Sequence, residues 1–167
     1  MLEIALDSDE DWDSSSFWLP LVRKAAEAAI AESAFPDLAD ADGAVEISVT
    51  LTGNGQVHAL NAKWRGKDKP TNVLSFPMAD ERDLSRTNLA SDELLLGDIV
   101  LARGVCVAEA AEKGVSVEDH AVHLVVHGTL HLLGYDHGND RDADDMEERE
   151  VRALKRLGIA NPYEIHA

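Results

Sequence analysis

His127-Gly128-Thr129-Leu130-His131-Leu132-Leu133-Gly134-Tyr135-Asp136-His137 decides how this chain is read. From Ala121 to Leu133 nearly every side chain is apolar, the exceptions being His123, His127, Thr129 and His131. A helix apolar on almost every face belongs in a core. Residues four apart lie ~40° apart around a helix axis and about one turn apart along it, so His127 and His131 point to one spot. Gly134 ends the helix and turns the chain back, which lets His137 reach the same spot. Core histidines satisfied by hydrogen bonds are the ordinary alternative, and three at these spacings around a glycine weigh against it. Zinc suits three neutral imidazoles best, since no oxygen cage for calcium or magnesium accompanies them. Nickel and iron fit the same donors. With His127, His131 and His137 as ligands, a fourth position stays open for water, whose pKa zinc lowers to about 7. That is a hydrolase arrangement. A closed structural site with Cys106 as fourth ligand is the other way to complete the tetrahedron.

The spacing matches the metzincin peptidase string H-E-x-x-H-x-x-G-x-x-H at every position but one. Gly128 stands where the peptidases have the glutamate that acts as general base. Without that group an amide loses its route for proton delivery to the leaving amine. The ligand spacing is kept and the peptidase base is gone, so a different substrate class is implied.

Outward from this helix, the pattern gives alternating elements. Leu2 to Leu6 suits a short opening strand, and Phe17 to Ser33 a helix that follows Ser14-Ser15-Ser16, with Pro20 in its first turn. Val45 to Leu51 alternates apolar and polar residues, as a half-buried strand does. After the break at Gly53-Asn54-Gly55, Gln56 to Arg65 reads as a helix and Val73 to Phe76 as a strand. Asp80 to Asp92 has charges without period and reads as a loop. Leu94 to Leu101 is strand-like but interrupted at Gly97-Asp98, and Ala102 to Lys113 is helical. Ser116, with Glu118-Asp119 behind it, starts the histidine helix, and Asp142 to Leu157 forms a last amphipathic one. The interleaving is too irregular for a doubly wound sheet. An α+β fold is expected, a small mixed sheet packed with about five helices and the metal site at the end of a buried helix. At 167 residues the chain fits one domain, 1–167, able to bury roughly 70% of its unfolded surface.

Charge narrows the function. The net charge is −17, which opposes nucleic acid unless some region inverts the sign. One region does. From Ile47 to Ala79 the charged residues are Lys63, Arg65, Lys67, Asp68 and Lys69, a net of +3 against −20 in the remainder. Lysines at a helix end also favour its dipole, so the patch alone is weak. Beside a hydrolytic metal site it reads as a phosphate clamp, with Arg65 supplying planar bidentate contacts. No apolar run reaches the ~18 residues of a membrane span, and Met1 to Asp11 is too acidic for a signal peptide. A lone cysteine, Cys106, suits a reducing cytoplasm and a small buried hydrophobe.

Longer motifs carry a resemblance. Leu60-Asn61, the run Trp64-Arg65-Gly66-Lys67-Asp68-Lys69-Pro70-Thr71-Asn72-Val73-Leu74-Ser75-Phe76-Pro77, Leu96-Gly97-Asp98-Ile99, and His123 through His137 together resemble the bacterial YbeY-type endoribonucleases, the 16S rRNA maturation factors. The resemblance implies a zinc-dependent, single-strand-specific endoribonuclease that acts in 16S rRNA 3′-end maturation and ribosome quality control. RNA of the small ribosomal subunit, and ribosomal proteins, would be its partners, with neither membrane nor DNA involved. His127, His131 and His137 match the family's metal ligands, and Arg65 matches the arginine important for cleavage. Asn72 stands where many members carry Asp. His123 matches a common family histidine outside the ligand set, in the core or behind a ligand. His58, His120 and His166 default to the surface, and Asp136 either orients a ligand ring or serves the turn. A metallopeptidase with an unconventional base and a non-enzymatic ribosome assembly factor are the competing functions.

Overall fold

In a computed structural model, residues 1–9, 11–41, 43–85 and 93–163 are described. Four strands form one sheet in the order β1-β2-β4-β3: β1 (Leu2–Ser8), β2 (Val45–Thr52), β3 (Val73–Pro77) and β4 (Leu94–Ala102). β1, β2 and β4 run parallel, with Ile4 opposite Ile47 and Val49 opposite Ile99. β3 lies antiparallel to β4, placing Ser75 opposite Ile99. The sheet is mixed, and the architecture is α+β as expected.

The helices are α1 (Ser15–Ala31), α2 (Asn54–Arg65), α3 (Glu81–Leu84), α4 (Arg103–Lys113), α5 (Val117–Leu132) and α6 (Asp140–Arg156). A 3-10 turn spans Pro36–Asp40. Strand alternation divides the core in two. Val45, Ile47, Val49 and Leu51 of β2, with Ile99 and Leu101 of β4, join the larger cluster with α1, α5 and α6. Leu74, Val100 and Ala102 face the other way and meet Val57 of α2. α5 is buried on nearly all faces. Leu130 and Leu132 are completely buried, and trimming either to alanine costs about 2–5 kcal/mol.

Four local expectations need correction. Pro20 lies beyond the first turn, because α1 begins already at Ser15. β4 is not interrupted at Gly97-Asp98. A bulge shifts its register against β2 between Glu46 and Ile47, and the strand continues through it. The segment from Asp80 is not all loop, since Asp80 and Asp83 form a reciprocal capping box that nucleates the four-residue α3. Residues 86–92 of that segment lie outside the described residues. Finally, His120 is not a surface residue: it is 2% exposed, as set out below.

Candidate metal centre

The C-terminal end of α5 gathers the three histidines. Ser116 caps the start of the helix by accepting from the Asp119 N–H at 3.0 Å. Thr129, buried in mid-helix, donates to the Val125 carbonyl at 2.7 Å. Gly134 has φ +96°, a conformation that a side chain resists, and the Tyr135 N–H donates back to the Leu130 carbonyl at 3.1 Å. The chain therefore reverses within two residues of the helix end. Tyr135 is then anchored, with its hydroxyl accepting from the Ala34 N–H at 2.9 Å and Arg149 lying over its ring at 4.8 Å. Asp136 accepts from the His137 N–H at 2.7 Å, a bond within the turn.

The imidazoles converge as the spacing requires. His127 Nε2 and His131 Nε2 are 3.1 Å apart, and the His137 ring stacks on His127 with centroids 4.9 Å apart. One ligand atom from each of the three lies within 4.8 Å of the others. Nitrogens bound tetrahedrally at 2.0–2.1 Å sit about 3.3 Å apart, a separation that His127 and His131 already match at 3.1 Å. Burial, then the neighbouring His127 and His137, push His131 down to about 4. It is neutral near pH 7, as a metal ligand must be. The donor set fits zinc.

A buried carboxylate selects which nitrogen of His127 faces the cluster. Glu150, on α6, is completely buried and accepts from His127 Nδ1 at 2.5 Å. Its other oxygen accepts from His123 Nε2 at 3.0 Å and from the Tyr163 hydroxyl. With its proton held on Nδ1, His127 presents the Nε2 lone pair to the cluster. Burial raises the Glu150 carboxyl pKa, but the hydrogen bonds from His123 and His127 outweigh it and hold the group well below the usual carboxylate range. Burial and the Glu150 charge drive the Tyr163 phenol far up.

Arg65 ends α2 and donates from Nη2 to the Ser75 carbonyl on β3 at 3.1 Å. This carries it into a cleft of about 530 Å³ that His127 and His131 also line, with Asn72, Ser75 and Tyr135. Residues 62 positions apart thus line one cleft. Gly128 faces the sheet. A Cβ there would lie 3.0 Å from Ile99 Cγ2 and 3.1 Å from Ser75 Oγ. The position that holds the peptidase base is here a tight helix-to-sheet contact at which even a Cβ would crowd Ile99 and Ser75.

Comparisons with known proteins show the family. The family model described as Endoribonuclease YbeY matches residues 9–158. The chain belongs to the endoribonuclease YbeY family. The YbeY endoribonuclease of Rhizorhabdus wittichii is 51% identical over 166 residues, covering 99% of this chain and 98% of the relative. That of Sphingopyxis alaskensis is 52% identical over 165 residues, covering 98% of each. The solution structure of TM1509 from Thermotoga maritima shares the fold at a TM-score of 0.54 and 23% identity, covering 99% of this chain and all of that one.

For this YbeY family member, the sequence did not reveal Glu150, although a signal existed. Met146, Glu150, Ala153 and Leu154 are the buried residues of α6 and form its apolar stripe, with one acid in the middle. His123 lies in the core and, through Glu150, behind His127. His120 pairs with Glu109 at 2.9 Å, and Glu109 also accepts from Asn72 Nδ2 at 3.0 Å. An Asp at 72 would set a second carboxylate against Glu109, whereas the amide donates to it. His58 bonds Asp68 at 2.7 Å, and His166 lies outside the described residues. Cys106 is fully buried in the larger core and takes no place in the histidine cluster. Burial, then the Glu109 charge, pushes its thiol up to about 11. Among the described residues, no helix is long and apolar enough to cross a membrane.

Proposed function

We propose that this chain is a zinc-dependent endoribonuclease specific for single-stranded RNA, acting in 16S rRNA 3′-end maturation and ribosome quality control. It works as one hydrolase domain, 1–167, in the cytoplasm, with the small ribosomal subunit and its proteins as partners. The observation that carries this reading is the shared cleft: Arg65, from the one cationic island, lines the same cleft as His127 and His131. Membership of the endoribonuclease YbeY family supports it.

Each residue has a distinct task. His127, His131 and His137 hold the ion, and Glu150 keeps the proton of His127 on Nδ1 so that Nε2 remains a ligand. A zinc ion held there supplies Lewis acidity toward phosphate oxygens and lowers the pKa of water. Arg65 directs its guanidinium to the charge that grows on the phosphate oxygens during cleavage. The Ser75 carbonyl steadies that side chain from below. The peptidase alternative loses its footing at Gly128, which offers no base and packs tightly on the sheet.

Cleavage of a defined single-stranded RNA, with analysis of product ends, tests the proposal. A 2′,3′-cyclic phosphate marks attack by the 2′-OH, and a 5′-phosphate marks attack by water. No cleavage by zinc-loaded protein overturns the enzymatic reading in favour of an assembly factor.

A further inference from the structure

Val57, Leu60, Asn61 and Trp64 of α2 follow the i, i+3, i+4, i+7 spacing of a buried stripe. The first three obey it: Val57 is completely buried, Leu60 packs against it, and Asn61 is 2% exposed. Trp64 does not, and stands 63% exposed on the last turn. The loop beyond it is folded back onto the helix. Asn61 Nδ2 donates to the Lys69 carbonyl at 2.8 Å, and its own carbonyl accepts from the Lys67 N–H at 3.2 Å. Lys63 Nζ lies 5.0 Å over the indole, and Arg65 enters the cleft from the adjacent position. The island's single acid, Asp68, is paired with His58.

We propose that Trp64 is a stacking platform for an unpaired base of the RNA strand whose phosphate Arg65 receives. An exposed indole among cations, on a chain otherwise strongly acidic, is complementary to a flexible polyanion with aromatic faces. Stacking is sequence-tolerant because every base has a π-face, and it demands a single strand because paired bases offer no free face. This inference rests on the RNA reading above and adds to it how single strands are selected.

The test uses the zinc-loaded full chain, a single-stranded RNA decamer, the same decamer with abasic residues, and inorganic polyphosphate, read by stopped-flow before cleavage. Trp64→Ala should bind the decamer about 5- to 100-fold more weakly, and Trp64→Phe should recover most of the loss. Polyphosphate should bind both variants as it binds the wild type. The abasic strand should bind wild type and Trp64→Ala alike. Trp12 and Trp18 are 3% and 1% exposed, so RNA should quench the solvent-exposed indole emission in wild type and not in Trp64→Phe. Unchanged decamer binding by Trp64→Ala overturns the proposal, as does equal loss of RNA and polyphosphate, which would make Trp64 a brace for the cations. A wild type that binds polyphosphate and no RNA would instead overturn the RNA reading itself.

Discussion

Glu150 of α6 and His127 of α5 meet across 2.5 Å in the core, 23 residues apart in sequence. The contact links a carboxylate with no access to solvent to an imidazole at the edge of the cleft. Glu150→Gln keeps the shape and removes the charge. It should weaken zinc affinity 10- to 100-fold, as loss of the group behind a ligand imidazole does. Tyr163→Phe removes one of three donors to the same carboxylate and should cost less. Chelator competition measures both, and wild-type zinc affinity in Glu150→Gln would remove this carboxylate from the metal site.

Gly128 brings α5 against β3 and β4 so closely that even a methyl group crowds Ile99. Gly128→Ala should therefore destabilise the fold by about 1–3 kcal/mol, although alanine favours helix. Denaturant unfolding reads the sign. A more stable variant would mean that Ile99 yields easily.

His120 and Glu109 give the fold an acid limit away from the ligands. Burial lowers the His120 pKa, the Glu109 bond works against this, and the His123 and Lys113 charges add to the lowering. The unfolded chain then binds a proton near pH 6.5 that the native chain refuses, so stability falls as pH drops below about 6.5 toward the lower native value. Glu109 is itself held low, against burial, by its bonds from His120 and Asn72, and its contribution is lost at still lower pH. Thermal melts across pH 7 to 4 should show a shallower decline in His120→Gln than in wild type. Parallel curves would contradict the assignment.

Cys106 separates an open metal site from a closed one. Its thiol is buried, with a pKa raised to about 11, so the native protein should resist alkylation at pH 8. Cys106→Ser should retain the full zinc content by elemental analysis. Clear loss of metal in a folded variant would favour the four-ligand structural site.

Short-range periodicity made much of this site legible. His127 and His131 share a stripe because helical geometry is regular, and Gly134 announces a turn whose positive φ only glycine adopts easily. What sequence hid was tertiary. Glu150 looks like one acid among many in an acidic helix until α6 is laid on α5. His120 reads as a polar surface residue until Glu109 arrives from α4 to satisfy it. The bulge in β4 is a pairing event, and glycine alone reads as a break. α3 owes its single turn to two aspartates that bond each other's backbone, a local device lost in a charge-rich run.

Arg65 carries the central claim, because it lines the histidine cleft without belonging to the cluster. The decisive measurement is single-stranded RNA cleavage by Arg65→Ala at matched zinc content and unchanged circular dichroism. Cleavage should fall by on the order of 100-fold or more, as when a transition-state donor is removed, with partial recovery in Arg65→Lys. Wild-type cleavage by Arg65→Ala would contradict the account.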